Sequence, residues 1–263
     1  MARTPKIVPA ISSAKHPGNS YPAAIDCPTL DAQLPPENAI LAGLPGGESN
    51  LLRPHLHRLL WQSGQILREV AAPLDCFYFP ESGMVCAFAV MDDGRTVALA
   101  AIGREGFLGV SAFLGTESAP LRAVVVIDGN AIKLSRVELQ RILPACPQFA
   151  SALRRYSGSY LAQIAINGGC HALHSVQQRV ASWLLIARDR TGFNPLPLTH
   201  ESLSELLGCR RSSITNSLAL LENASVIRCG RSRISILDHR RLAQQACECH
   251  KALNDRLALG RNR

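Results

Sequence analysis

The amino-acid sequence predicts an α+β chain in three parts: a β-rich roll, one long helix, and a small C-terminal unit of helices closed by a β-hairpin. Three observations predict it. Between about Gln62 and Leu134, short β-type runs alternate with turn residues. After Pro147, the apolar residues Phe149, Leu153, Tyr156, Tyr160 and Ile164 recur at helical spacing. From Leu198 to Asp238, two short amphipathic helices precede two strands around a basic turn.

The N-terminal residues 1–37 carry Pro5, Pro9, Pro17, Pro22, Pro28, Pro35 and Pro36 with little periodicity, and are expected to form a flexible tail. From Asn38 to Leu60 a short helical region is expected, its leucines placed around the Pro45-Gly46-Gly47 turn. It leads into the β-rich body, with which it makes up a unit of residues 38–146. The runs there are Gln65-Ile66-Leu67, Cys76 to Phe79, Met84 to Met91, Thr96 to Ile102, Ala123 to Ile127 and Ala131 to Leu134. Asp93-Gly94 between two apolar runs is the best hairpin signal among them. Gly103, Gly106 and Gly109 are read as backbone-turn glycines.

Residues 147–173 form the long helix, with Gly168-Gly169 as a candidate hinge before the next one. Its stripe suits either a seam between two chains or an ordinary core face. The last unit, residues 174–245, begins with a helix buried through Val176, Val180, Trp183, Leu184 and Ala187, with His174 capping its start. Thr199 then caps a helix whose apolar stripe is Leu203, Leu206 and Leu207, and Gly208 makes the turn. A further helix from about Arg210 buries Ile214, Leu218 and Leu221, which leaves Arg210, Arg211, Ser212, Ser213, Thr215 and Asn216 at its exposed start. That is where a helix inserted into the major groove carries its base-reading side chains, with Arg211 foremost. The hairpin tip offers Arg231 and Arg233 to backbone phosphate. Residues 246–263 are read as a C-terminal tail.

Charge supports a polyanion partner. Residues 1–173 hold 14 Lys or Arg against 13 Asp or Glu, and residues 174–263 hold 14 against 7, so the last third carries +7 of the net +8. The whole chain, 263 residues with 47% hydrophobic and 18% charged, has the composition of a soluble protein. It lacks any apolar run of transmembrane length and any secretory signal, so a cytoplasmic location without a membrane partner is expected. Nine singly scattered cysteines point to reduced thiols rather than a disulfide framework. No nucleophile elbow, Walker loop or dinucleotide fingerprint is present, which argues against an enzyme.

Five stretches in this order carry a resemblance: Phe77 to Gly83, Asp92 to Val97, Ile102 to Gly109, His174 to Leu185, and the helix-turn-helix with its wing. From about residue 38 to 243 the chain resembles the Crp/Fnr family of bacterial transcription regulators, typified by the cyclic-AMP receptor protein and the oxygen regulator FNR. The resemblance implies a sensory β-roll like a cyclic-nucleotide-binding domain, a dimerisation helix, and a winged helix-turn-helix reader of double-stranded DNA. It also implies a homodimer with Phe149, Leu153, Tyr156, Tyr160 and Ile164 as its seam, a pseudo-palindromic operator, and RNA polymerase as a partner. Signals in the roll would shift the dimer helices and with them the two readers.

Departures from the family pattern are informative. Members that bind cyclic AMP hold the ribose with a Gly-Glu pair and the phosphate with an Arg followed by a hydroxyl residue and Ala. Here Arg104 separates Gly103 from Glu105, and Arg122 is followed directly by Ala123, so Arg104, Glu105 and Arg122 are the candidate effector residues and a cyclic nucleotide is disfavoured. On the reading helix, Arg211-Ser212 and Asn216 stand where the best-known members carry an Arg-Glu pair and a later Arg, which shifts the expected operator toward adenine contacts. An FNR-type cluster needs several N-terminal cysteines, and the tail holds Cys27 alone. Cys170, His171 and His174 have metal-compatible spacing, as do Cys247, Glu248, Cys249 and His250, but neither group supplies a complete tetrahedral set. Neither a cofactor nor a metal is therefore expected. The competing readings are a cyclic-nucleotide-responsive regulator and a sensor module acting through protein contacts; the basic final third argues against the second.

Overall fold

A computed structural model describes residues 29–30 and 35–261. The expected flexible tail, with Cys27, lies almost wholly outside the described residues. Helices α1 (Ala39–Ala42) and α2 (Gly46–Leu52) and a single 3-10 turn (Arg53–His55) lead into the sheets. Buried Asn38 fastens this entrance. Its side-chain oxygen accepts from the Ile40 and Leu41 amides, while its amide donates to the Pro80 and Gly106 carbonyls at 2.9 and 2.8 Å.

The roll is built from β1 (Thr29–Leu30), β2 (His57–Trp61), β3 (Ile66–Arg68), β4 (Cys76–Pro80), β5 (Met84–Val90), β6 (Thr96–Ile102), β7 (Arg122–Ile127) and β8 (Gly129–Ser135). They form two antiparallel four-stranded sheets, ordered β1-β2-β8-β4 and β3-β7-β5-β6. The Asp93-Gly94 hairpin joins β5 to β6, with Val90 opposite Thr96. Residues 57–60 of β2 were expected within the helical region. They are a strand because five consecutive pairings with β8 outweigh the weak helical preference of a leucine-rich run. Two short helices carry no long-period signal: α3 (Val110–Phe113) and α4 (Arg136–Ile142), the second capped by the Ser135 hydroxyl.

Aromatic rings fill the space between the sheets. Phe77, Phe79, Phe107 and Phe149 are fully buried; Phe107 stacks on Phe79 at 5.7 Å and meets Tyr156 at 5.3 Å. Gly106 is required by this packing, because a Cβ there would overlap the Tyr156 ring, whereas Gly109 meets the expected need for a turn with φ +123°. Gly103 also serves close packing, against Arg190 and Glu105, rather than an unusual turn.

The long helix, α5, spans Pro147–Leu173, and Glu48 accepts from the Gln148 and Phe149 amides at its start. The expected hinge at Gly168-Gly169 is absent: the helix runs through both glycines and ends at His174. Tethers to β6 offset their low helix propensity, with Asn167 donating to the Leu99 carbonyl and the Ala101 amide donating to Gln163, both at 2.9 Å. The expected seam also needs correction. Phe149, Leu153, Tyr156 and Tyr160 are buried in the chain's own roll core, with Ile164 packed against it. One helical period describes a core face and a dimer face equally well, and here the core takes it.

The remaining elements are α6 (Val176–Thr191), α7 (His200–Leu207), α8 (Arg211–Asn223), the hairpin β9 (Ile227–Gly230) and β10 (Arg233–Ile236), α9 (His239–Gln245) and α10 (Cys249–Arg261). Ser175, not His174, caps α6, through a box with Gln178. Most of the expected C-terminal tail is α10, which lies along α5; Leu253 is buried and the Ser159 hydroxyl donates to the Arg256 carbonyl at 3.2 Å. A helix this short gains its stability from that contact, which its own sequence does not display.

Roll and C-terminal unit share a second core. Met84, Cys86, Phe88, Ala98 and Ala101 on β5 and β6 pack with the apolar residues of α6, α7 and α8. Across it Arg190 of α6 pairs with Glu105 of the roll at 3.2 Å, with side chains only 5% and 2% exposed. Arg179 donates to the Leu207 carbonyl at the end of α7.

Candidate DNA-reading face and sensor site

The turn between α7 and α8 is made by Gly208 at φ +58°, with the Cys209 amide donating to the Ser204 carbonyl. Leu203, Leu206 and Leu207 of α7 and Ile214, Leu218 and Leu221 of α8 are buried, which fixes the opposite face of α8 outward. Arg210, Arg211, Ser212, Thr215 and Asn216 are exposed there, and Ser213 is half-buried. No side chain caps the first turn of α8, so its amides and the positive end of its dipole stand beside Arg210 and Arg211.

Two contacts pre-position this face. Arg211 lies 3.7 Å from the Glu201 carboxylate with both side chains more than half exposed, a weak pair that a stronger anion can displace. Thr215 Oγ1 lies 3.1 Å from His200 Nδ1. The wing is anchored by the Cys229 amide, which donates to Glu222 of α8 at 2.8 Å, and its tip turns through Ser232 at φ +59°. Arg231 and Arg233 on either side of Ser232 are exposed. Arg211 at the helix start and Gly230 and Ser232 of the wing line one open cleft together with Thr199, His200 and Glu201.

The three candidate effector residues are not gathered. Arg104 is exposed, Arg122 pairs with Glu69 at 2.9 Å, and Glu105 is committed to Arg190 and to the Gly103 amide, which donates to it at 3.0 Å. Glu69 neutralises the guanidinium that a phosphate would need. Arg190 holds the carboxylate that a ribose would need.

A site invisible at the level of linear spacing lies where α5 ends. Cys170 and His174, one helical turn apart, meet Cys247 from the turn between α9 and α10 and Cys249 at the start of α10, and the four ligand atoms lie within 4.8 Å of one another. The Cys170 and Cys247 sulfurs share a hydrogen bond across 3.5 Å, which together with the Ser182 hydroxyl draws Cys247 down to about 5 and drives Cys170 up. Burial pushes Cys249 up to about 11. The other two histidines of the sequence clusters are engaged elsewhere: His171 Nε2 bonds to the Ala98 carbonyl at 2.9 Å, and His250 to Asp189 at 2.7 Å. The linear signal is divided into two incomplete halves, which only the path of α10 brings together.

Comparison with known proteins agrees with this architecture. Residues 58–145 match the family model of a cyclic nucleotide-binding domain, and residues 178–245 that of a Crp-like helix-turn-helix domain. The cyclic AMP receptor protein of Thermus thermophilus is 24% identical over 195 residues, spanning 74% of this chain and 90% of that protein. Among solved structures, FixK2 from Bradyrhizobium japonicum is similar with a TM-score of 0.64 and 18% identity, covering 73% of this chain and 98% of its own. A protein assigned to the Crp/Fnr family from Eubacterium rectale gives 0.62 and 20%, covering 79% and 97%. With a sensor-type roll, a long connecting helix and a winged reader in this order, the chain belongs to the Crp/Fnr family of DNA-binding transcriptional regulators, which are not enzymes.

Proposed function

We propose that the regulator binds a pseudo-palindromic operator as a homodimer, each chain inserting the start of α8 into a major groove. The observation that carries this reading is the exposed Arg210 to Asn216 face beside the Arg231 and Arg233 wing tip, in the basic third of the chain. Arg211 contacts a base, Ser212, Ser213, Thr215 and Asn216 complete the readout, and Arg210, Arg231 and Arg233 hold phosphates. The units of function are the roll (38–146), α5 (147–173) and the reader (174–245).

The dimer contact lies on the face of α5 opposite the roll. Gly158, Leu161, Ala165, Gly168 and Ala172 are exposed at spacings of three, four, three and four, and Leu161 is 53% exposed. That is the repeat of a two-helix seam, with small residues for close approach. No described helix is long and apolar enough to cross a membrane. A cytoplasmic regulator that reports to RNA polymerase belongs to the same reading. Its roll transmits an effector signal through Glu105 and Arg190, the buried pair that joins roll to reader.

Sedimentation equilibrium and duplex titration test this together. The expected result is a particle of two 28.4 kDa chains, dissociated by Leu161→Glu, and duplex binding that weakens steeply with salt. A monomer that retains full specific binding, or binding indifferent to salt, overturns the reading.

A further inference from the structure

The cluster at the end of α5 is a binding site that the DNA-reading function does not use. We infer that Cys170, His174, Cys247 and Cys249 form a closed Cys3His site for one zinc ion, clamping the long helix to α10, the helix that follows the reader.

Geometry carries the inference. Cys170 Sγ to Cys247 Sγ and Cys249 Sγ to His174 Nδ1 are both 3.5 Å, and no ligand pair exceeds 4.8 Å. A tetrahedral ion with Zn–S near 2.3 Å and Zn–N near 2.0 Å has edges of about 3.5–3.8 Å, so the side chains need only a small adjustment. An iron–sulfur core, whose ligands sit on separate irons, needs a wider ring of donors. Three soft thiolates with one imidazole in tetrahedral array favour zinc among the common ions.

The surroundings are those of a metal ligand set. His174 turns Nδ1 toward Cys249, while its Nε2 stands 3.2 Å from Glu248, so an imidazole bonded to the ion through Nδ1 donates its other proton to a carboxylate. The Ser182 hydroxyl of α6 lies 3.1 Å from the Cys247 sulfur, within reach to donate to a thiolate there, and the Cys249 backbone amide points to the same sulfur. The three cysteines are buried at 5 to 7% exposure, with Ile166 packed against them. Four protein donors leave no open position, so the ion's role is structural. It fixes α10 along α5, and therefore fixes the reader relative to the helix that carries the dimer face.

The test uses the full chain, purified under reducing conditions without chelator. Elemental analysis is expected to find close to one zinc per chain, lost in Cys170→Ser and Cys249→Ser and retained in Cys146→Ser and His250→Ala. Because a ligand variant can fail to fold, the wild-type chain supplies two further readings. Cobalt added after zinc removal gives the intense visible bands and thiolate charge transfer of a tetrahedral site, and alkylation mapped by mass spectrometry spares Cys170, Cys247 and Cys249 until a chelator is added. Reduced protein that holds only trace metal and gives no tetrahedral cobalt spectrum overturns the inference. So does iron with sulfide in place of zinc, or a Cys170–Cys247 disulfide whose reduction does not restore cobalt uptake.

Discussion

Replacing Glu105 by Gln keeps the side chain's shape and removes its charge, leaving Arg190 buried without its anion. The pair lies at 3.2 Å with both side chains 5% exposed or less, so water cannot take over the lost interaction, and a guanidinium cannot discard its proton. Breaking one side of such a pair costs about 3–5 kcal/mol, a large part of the roughly 5–15 kcal/mol that holds a domain folded. Glu105→Gln/Arg190→Met removes both charges and is expected to recover most of the loss. Urea unfolding followed by tryptophan fluorescence suits the question, since Trp61 lies in the roll and Trp183 in α6, both buried. The single variant should lower the midpoint at both reporters, because the pair joins their two cores. A loss below about 1 kcal/mol, the range of exposed pairs, or a double variant as unstable as the sum of the singles, refutes the reasoning.

Other perturbations follow from particular contacts. Gly106→Ala forces a methyl against the Tyr156 ring and should cost about 1–3 kcal/mol by overpacking, read as a lowered thermal midpoint. Arg231→Ala and Arg233→Ala should weaken binding to all duplexes alike, and each should reduce the salt slope by about one, as duplex titrations at several salt concentrations will show. Glu138 is held below its ordinary value by the Ser135 hydroxyl and by His55. The stability it contributes is therefore present above the usual carboxylate range and lost as pH falls through its lowered value. Glu138→Gln should accordingly lower the thermal midpoint slightly near neutral pH, converge with the wild type in acid, and so flatten the acid limb of the midpoint against pH.

What the sequence disclosed follows from the range of its signals. Alternation of apolar residues located most strands of the roll, and Thr199, Gly208 and the stripe Ile214, Leu218, Leu221 defined the reader, because these are local patterns. Partner identity is not local. The stripe Phe149 to Ile164 declared a buried helix face without declaring what buries it, and the roll proved to be the cover. Helix α10 escaped notice because its order depends on α5, and the Cys3His cluster with it, since its halves stand 77 residues apart in the chain. Arg190 carries no local signal, and Glu105 reads as an effector candidate until the fold sets the two against each other.

The DNA-reading face is tested most directly by selection of bound sequences from a random duplex pool, with wild-type protein and Arg211→Ala at two salt concentrations. The prediction is an enriched two-fold site with half-sites about 10 base pairs apart. In Arg211→Ala, specificity should relax at one symmetric position and affinity should fall by about 1–3 kcal/mol. Enrichment of the same site undiminished in Arg211→Ala, or a wild-type protein that binds no duplex even at low salt, would contradict the assignment of α8 as the reading helix.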